Sequence, residues 1–238
     1  MVPAKVTLCA IVRDEEKNLA GGVTDFLDES LPFVNEAIVV DTGSKDRTKA
    51  ILESYSRRHP NLKVFNTRWQ GFAHARNYSL DQATNKWILV LDADERLTLY
   101  EYLKINYLIQ RQDIDGYYLN FTTKDSQGRI LGTAITENDD GLVLLSGDII
   151  PTIRIPPVRL FKKIRLDGIK HRYLTISNDQ ERINYVGAKY AASNLTIFHY
   201  IHSSEEQELK MLGMYDLKPP TNISNVIGRI KPAKKEFN

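Results

Sequence analysis

Short apolar runs alternate with amphipathic segments through the first hundred residues, and this alternation constrains the fold more than any other feature of the sequence. Apolar runs occupy residues 6–12, 37–40, 62–65 and 87–91. Segments with apolar residues at helical spacing separate them, including residues 18–33 and 71–83. Runs that are apolar throughout are typical of parallel strands covered on both faces. The pattern therefore predicts an α/β chain with a mostly parallel central sheet and helices on both faces.

The second half of the sequence has a different pattern. After a helix predicted at residues 99–109, strand-like stretches at 116–121, 128–131 and 158–161 are separated by glycine and proline. We predict a mixed or antiparallel extension of the same sheet, with a mobile polar loop at residues 136–147. A C-terminal helix at residues 203–217 and a tail follow. The expected parts are residues 1–110, 111–202 and 203–238.

Composition and missing motifs exclude several classes of protein. The single cysteine excludes a disulfide framework, and a net charge of +2 argues against nucleic-acid binding. No apolar run approaches the ~20 residues of a membrane-spanning helix, and no signal-peptide cleavage site follows the first strand. We therefore expect a cytoplasmic protein without a transmembrane segment. The glycine motifs of dinucleotide oxidoreductases and phosphate-loop NTPases are absent.

Polar clusters follow three of the predicted strands, at the sheet edge where ligands bind in such folds. The last cluster contains Asp92 and Asp94, which face the same way on an extended chain because they are two residues apart. Their mutual repulsion would be relieved by a divalent cation shared with substrate phosphates. A solvated strand end with a helix-capping aspartate explains the same spacing, and the spacing alone leaves both interpretations open.

Three further side chains are candidates for ligand binding. Asp41 ends the second predicted strand, where a carboxylate can accept hydrogen bonds from a ribose or a base. Arg76 lies on a predicted helix and could bridge diphosphate oxygens, although an arginine on a helix is ordinarily a surface residue. His199 follows an apolar run and could be a further metal ligand or a structural histidine.

Four segments together resemble the family 2 glycosyltransferases, which have the GT-A fold. The branch they resemble contains lipopolysaccharide-core glucosyltransferases and the S-glycosyltransferases of bacteriocins. The segments, whose order and spacing also fit, are residues 9–19, 41–48, 69–77 and 87–95. The resemblance implies a Rossmann-like nucleotide-sugar-binding half at residues 1–110 and an acceptor-side half at residues 111–202 of the same domain.

The resemblance also implies an activity and a set of site residues. It implies inverting transfer of a hexose from a nucleotide-diphospho sugar, with a UDP-sugar favoured, to a hydroxyl or thiol of a glycan, lipid-linked glycan or peptide. Arg76 and Asp94 are the implied catalytic residues. The implied metal is Mn²⁺ or Mg²⁺, with Asp92, Asp94 and His199 as ligands and with Asp92 and Arg76 also on the diphosphate. The residues implied for the nucleoside are Val12, Arg13, Asp14, Glu15 and Asp41.

One position departs from the family pattern. The segment around His171 resembles the acceptor side of the family, where the usual pattern is His followed by Glu, but this chain carries Arg172. If that Glu is the general base in relatives, the base here comes from elsewhere. The carboxylates considered for this role are Glu137, Asp139, Asp140 and Asp148.

Two alternative functions and one membrane contact stay open. A non-catalytic protein that binds sugar nucleotides, or a scaffold, would explain Arg172. A metal-dependent nucleotidyltransferase would share the sheet and paired acids, but no triphosphate loop is found. The stretch with Met211, Leu212 and Met214 could contact a partner or a membrane surface, although core packing is the ordinary use of such residues.

Overall fold

The computed structural model describes residues 3–18, 20–125, 127–136, 143–147, 158–164, 168, 170–177, 180–183 and 187–200. The four helices in this part are α1 (Gly22–Ser30), α2 (Thr48–Arg58), α3 (Phe72–Gln82) and α4 (Leu99–Leu108). The strands are β1 (Ala4–Val12), β2 (Val34–Asp41), β3 (Leu62–Asn66), β4 (Trp87–Val90), β5 (Glu95–Arg96), β6 (Gly116–Lys124), β7 (Ile130–Thr136), β8 (Val143–Gly147), β9 (Val158–Lys162), β10 (Tyr173–Ser177), β11 (Gln180–Ile183) and β12 (Tyr190–Tyr200). None of the described helices is long and apolar enough to cross a membrane.

The parallel half of the sheet has a buried core on each face. Strands β3, β2, β1 and β4 lie side by side in that order and run parallel. Successive side chains of a strand point to opposite faces. Leu8 and Ala10 of β1 accordingly pack in the core that contains α1, α2 and α4 residues, and Cys9 and Ile11 pack in the core that contains α3 residues. The predicted parallel sheet with helices on both faces is confirmed.

Cys9 is a core residue and not a reactive one. Its side chain lies in the α3 core, where burial raises the pKa of the thiol to about 12. The thiol therefore stays protonated at neutral pH, as expected of a cysteine that only fills space.

The second half of the chain extends the sheet with mixed strand directions. Strand β9 lies antiparallel between β4 and β6, whereas β12 runs parallel to β6 and pairs with the short β5 at the edge. The predicted mixed extension is confirmed. Its order matters for the site because β9 begins, and β12 ends, beside the residues that follow β4.

One predicted helix and one predicted loop differ from the structure. The helix predicted at 18–33 begins only at Gly22. The positive φ angles of Gly21 (+90°) and Gly22 (+79°) lie outside the right-handed helical region, so the helix cannot extend back towards residue 18. It ends at Ser30, and a single 3₁₀ turn, Leu31–Phe33, follows. The predicted mobile loop at 136–147 includes strand β8, which pairs with β7. The partner strand directly precedes this segment in the chain, so β7 and β8 pair as sequence neighbours.

The helix predicted at residues 203–217, the stretch containing Met211, Leu212 and Met214, and the four carboxylates considered as a general base lie outside the described residues. These expectations stay predictions.

Candidate functional site

The residues after β4 form a tight turn, here called the acidic turn (residues 92–95). Glu95 N–H donates to the Asp92 carbonyl at 3.0 Å, which closes the turn. The next two carbonyls accept hydrogen bonds from Asn18 Nδ2 and from Tyr200 N–H, each at 3.0 Å. The backbone of the turn is therefore held by the loop after β1 on one side and by the end of β12 on the other.

Two arginines bind the first carboxylate of the acidic turn. Arg76 on α3 places Nη1 2.8 Å from Asp92 Oδ1 and donates from Nη2 to Oδ2 at 3.0 Å. Arg159 on β9 places Nη2 3.5 Å from Asp92 Oδ2. Burial alone would raise the pKa of Asp92, but the charges of Arg76 and Arg159 outweigh it and hold this pKa well below its usual range. Asp92 is therefore an anionic anchor for two cations.

Glu95 is the most buried carboxylate of the acidic turn, with 3% of its side chain exposed. Its Oε1 lies 2.9 Å from Arg159 Nη2, and its Oε2 accepts a hydrogen bond from Asp92 N–H at 2.9 Å. Burial raises the pKa of Glu95 to about 7, Arg159 opposes this rise and Asp92 adds to it. Sequence reasoning assigned no role to Glu95 or Arg159. The available signal was a charged residue inside the otherwise apolar run at 158–161.

Asp94 points to a different partner from that of Asp92. Its Oδ2 lies 3.5 Å from His199 Nε2, and the two side chains are 25% and 30% exposed. Burial would lower the pKa of His199, but the hydrogen bond and charge of Asp94 outweigh it and raise the pKa to about 9. The structure thus brings together His199 and Asp94, two of the predicted metal ligands, as a partly exposed carboxylate–imidazole pair.

The donor set is compatible with a cation that also binds a substrate. Across the described ranges, no group of three or more His, Cys, Asp or Glu side chains is arranged to hold a metal ion. Asp94 offers a carboxylate, and His199 offers an imidazole nitrogen once a cation displaces its proton; both side chains are partly exposed to solvent. Mg²⁺ is usually held by one or two carboxylates, with substrate phosphates and waters completing its shell. This pair fits such a shared site and does not fit a closed, protein-only site.

Asp41 ends β2 with one carboxylate oxygen engaged and the other without a partner. Its Oδ1 accepts hydrogen bonds from Gly43 N–H at 2.8 Å and Ser44 N–H at 2.9 Å. Its Oδ2 is buried and accepts no hydrogen bond from the described part of the chain, and the whole residue is 2% exposed. A buried polar oxygen without a partner is costly, and a ligand N–H or O–H at this position would satisfy it.

The loop after β1 is fastened to the loop after β2. Asp14 has a positive φ of 56°, and its Oδ1 accepts a hydrogen bond from Lys45 N–H at 2.6 Å. The backbone N–H groups of Asp14 and Glu15 donate to Ser44 Oγ at 3.0 Å and to Thr48 Oγ1 at 2.8 Å. The two loops predicted to hold the nucleoside therefore form one connected surface.

Val12 and Arg13 complete this end of the sheet. Val12 lies opposite Asp41 in the β1–β2 register, and the buried Arg13 places Nε 3.9 Å from Asp14 Oδ2. All five residues predicted for the nucleoside thus collect at the carboxyl ends of β1 and β2.

Asn18 connects this nucleoside end to the acidic turn. Its Nδ2 donates to Glu15 Oε2 at 2.9 Å and to the Ala93 carbonyl at 3.0 Å. Sequence reasoning did not single out Asn18 as a site residue, because nothing in the local pattern shows that its amide spans two loops. Through Asn18 the two predicted clusters become one site.

The segment predicted to lie on the acceptor side has a buried histidine and a paired arginine. His171 is fully buried, with Nδ1 on the Lys162 carbonyl and Nε2 2.9 Å from the Tyr190 hydroxyl. Arg172, at the position where the family pattern has Glu, forms a salt bridge with Asp81 on α3. His171 therefore joins β9 to β12 in the core.

The amino-acid sequence is similar to those of known proteins. The family model for glycosyl transferase family 2 matches residues 7–167. The chain is 45% identical over 97 residues to a TPR repeat-containing protein of Synechococcus elongatus, an alignment that covers 40% of this chain and 22% of that protein. It is 36% identical over 69 residues to the lipopolysaccharide core biosynthesis glycosyltransferase LpsC of Rhizobium meliloti, covering 29% of this chain and 26% of LpsC. The chain therefore spans about a quarter of the length of these relatives.

The fold is similar to that of S. aureus TarS. The crystal structure of TarS matches with a TM-score of 0.56 and 20% identity, covering 88% of this chain and 38% of TarS. Its fragment 1–349 in complex with UDP-GlcNAc matches with a TM-score of 0.54 and 18% identity, covering 84% of this chain and 59% of the fragment. These similarities confirm the predicted GT-A fold.

Proposed function

Because the chain belongs to glycosyl transferase family 2, we propose that it transfers a sugar from a nucleotide-diphospho sugar to an acceptor. The observation that carries this proposal is the buried Asp41 Oδ2, which lacks a hydrogen bond from the described residues. It lies at the same sheet edge as the acidic turn, to which Asn18 links the nucleoside loops. A nucleoside at Asp41 and a diphosphate at the acidic turn would use both halves of this site.

The proposed donor is a UDP-sugar. Asp41 Oδ2 would accept a hydrogen bond from the base or the ribose, and Val12, Arg13, Asp14 and Glu15 would complete the nucleoside site. The TarS fragment, which shares the fold, has been solved with UDP-GlcNAc, and this supports a uridine nucleotide here. A hexose is the proposed sugar.

The proposed chemistry follows from the charge that develops when the anomeric bond breaks. Negative charge grows on the departing diphosphate, and preorganised cations lower the energy of that state. Arg76 is such a cation, because two contacts to Asp92 hold its guanidinium in place. Asp94 and His199 would hold Mn²⁺ or Mg²⁺, with Asp92 behind them as the anchor of the arginines. When bound, the metal ion supplies Lewis-acid stabilisation of the leaving diphosphate.

The acceptor side belongs to the proposal as well. We propose inverting transfer to a hydroxyl or thiol of a glycan, lipid-linked glycan or peptide, in the cytoplasm. A single displacement of this kind needs a base for the acceptor proton. Arg172 cannot serve, because a guanidinium stays protonated and has no acceptor atom.

The arginine at position 172, which is paired with Asp81, favours one second candidate function because it leaves that position without a base. A chain with this site but without a base at position 172 could bind a sugar nucleotide without transferring the sugar. Binding without turnover against a broad panel of acceptors would favour this alternative.

Isothermal titration calorimetry with UDP, GDP, CDP and ADP, each with and without Mn²⁺, tests the proposal. We expect UDP to bind most tightly, with a contribution from Mn²⁺, and Asp41→Asn to weaken UDP binding. Asp113→Asn is the matched control, because Asp113 is exposed and pairs with Arg111. Both residues lie just before β6, at the end of the strands opposite to the acidic turn. The proposal is rejected if no nucleoside diphosphate binds at millimolar concentration. A screen of nucleotide sugars for donor hydrolysis then identifies the sugar.

A further inference from the structure

Arg159 reaches the acidic turn from a strand in the middle of the sheet. Its neighbours Val158 and Leu160 on β9 are buried in the two cores, whereas its own side chain is 14% exposed. Nη2 lies 2.9 Å from Glu95 Oε1 and 3.5 Å from Asp92 Oδ2. The guanidinium therefore joins the first and last side chains of the turn.

The aromatic ring of Phe121 supports this arrangement from β6. The guanidinium carbon of Arg159 lies 5.7 Å from the ring centroid, within the range of a cation–π contact. A planar guanidinium can stack on a ring while donating to two carboxylates, and a lysine ammonium lacks this geometry. The position thus uses properties that are specific to arginine.

The turn needs a cation at this place. Glu95 is buried and lies beside Asp92, so the two carboxylates would repel each other if no positive charge stood between them. The hydrogen bond from Asp92 N–H to Glu95 Oε2 brings the two residues still closer. Arg76 contacts only Asp92 among the carboxylates of the turn for which a salt bridge is described. Arg159 is therefore the cation that touches both members of the repelling pair.

Building on the proposed function, we propose that Arg159 is a positioning residue of the donor site. It holds Asp92 and Glu95 together, so that the turn presents Asp94 to His199 and presents Asp92 to Arg76. Groups that orient the direct ligands of a metal site change metal affinity by about 10- to 100-fold when they are removed. A role limited to neutralising buried Glu95 is the competing explanation, and it makes a different prediction.

Three variants and one control separate the two explanations. The variants are Arg159→Met, Arg159→Lys and the double variant Arg159→Met/Glu95→Gln. The double variant removes the cation and the buried charge together, so it no longer contains an unpaired carboxylate at Glu95. Arg111→Met is the control, because Arg111 pairs with exposed Asp113 just before β6, at the end of the strands opposite to the acidic turn. The measurements are Tm, amide hydrogen exchange of residues 92–95, and calorimetric affinity for Mn²⁺ in the presence of UDP.

We expect Arg159→Met to lower Tm, to speed amide exchange in the acidic turn and to weaken Mn²⁺ binding about 10- to 100-fold. Arg159→Lys should lie between this variant and the wild type. In the double variant Tm should recover, whereas fast exchange and weak Mn²⁺ binding should persist. Recovery of all three quantities in the double variant would overturn the proposal. It would also be overturned if amide exchange in the acidic turn were the same in Arg159→Met as in the control.

The exchange measurement keeps this inference separate from the proposed function. If the wild type binds no nucleoside diphosphate, the proposed function fails, but the amides of residues 92–95 still report on Arg159. Faster exchange in both Arg159→Met and the double variant then supports the positioning role. Wild-type exchange in the double variant contradicts it.

Discussion

At the residue scale, Asp92 and Asp94, the two aspartates of the acidic turn, bind different partners. Asp92 binds Arg76 and Arg159, and Asp94 faces His199. Their spacing in the sequence explains why both lie at the edge of the sheet, but not why their partners differ. The division follows from the elements beside the acidic turn: α3 and the start of β9 face Asp92, and the end of β12 faces Asp94.

Replacing Asp94 tests the proposed metal pair. We expect Asp94→Ala to remove the Mn²⁺-dependent part of UDP affinity, because His199 alone would be left to hold the cation. Binding of UDP without metal should change little, since Asp94 lies apart from the nucleoside end. Calorimetry with and without Mn²⁺ measures both quantities, with Asp113→Ala as the control. An unchanged effect of Mn²⁺ in Asp94→Ala would rule out this assignment.

At the element scale, the start of α1 is set by one side chain together with two left-handed glycines. Asn18 Oδ1 accepts hydrogen bonds from Ala20 N–H at 2.9 Å and Gly22 N–H at 2.8 Å. The left-handed Gly21 and Gly22 let the chain bend at this point. The same Asn18 amide group binds Glu15 and the acidic turn, so one residue fixes both the helix start and the site.

Replacing Asn18 should therefore affect stability and binding together. We expect Asn18→Ala to lower the free energy of unfolding by about 1–3 kcal/mol, because several groups lose hydrogen bonds in partly buried surroundings. UDP affinity should fall as well, since the loop after β1 loses its link to the acidic turn. Urea unfolding and calorimetry measure the two effects. Asn106→Ala on partly exposed α4 is the control, and loss of stability without loss of UDP affinity would show that the link does not matter for binding.

At the scale of the whole molecule, a buried carboxylate holds the parallel half of the sheet together. Glu36 on β2 accepts hydrogen bonds from Thr7 on β1 and from Lys63 on β3. It also accepts one from Thr84 N–H at 2.8 Å, in the segment before β4. Burial alone would raise the pKa of Glu36, but the hydrogen bonds from Lys63, Thr7 and Thr84 outweigh it and lower the pKa to about 2.

This lowered pKa predicts a pH-dependent stability. A carboxyl group with a lower pKa in the folded state than its ordinary value of 4.5 stabilises the fold above that value and loses this contribution as the pH falls towards about 2. We expect Glu36→Gln to cost about 3 kcal/mol at neutral pH, and the difference from wild type to shrink below pH 4.5. Unfolding free energies of both proteins across this range provide the test. A difference that stays constant with pH would show that the charge of Glu36 is not the stabilising feature.

Several features of the fold and site could be predicted from the sequence. Apolar runs predicted β1, β2, β3 and β4, because burial on both faces demands apolar residues within a short window. Asp41 and the acidic turn were placed at the correct edge because they directly follow such runs. The helix start before Gly22 and the loop at 136–147 were predicted incorrectly. Two left-handed glycines and the Asn18 hydrogen bond decided the first, and the pairing of β8 with the preceding strand β7 decided the second.

The sequence by itself therefore determined the class of sheet, the edge at which the site lies and the kinds of side chain available there. Only the tertiary structure decided which of those side chains meet. Arg159 is 67 positions from Asp92, and it reaches that carboxylate because β9 inserts antiparallel between β4 and β6. Periodicity is a local property of the chain, whereas strand order arises from how all the strands bury their faces together. For that reason Arg159, Glu95 and Asn18 become evident as site residues only in the folded protein.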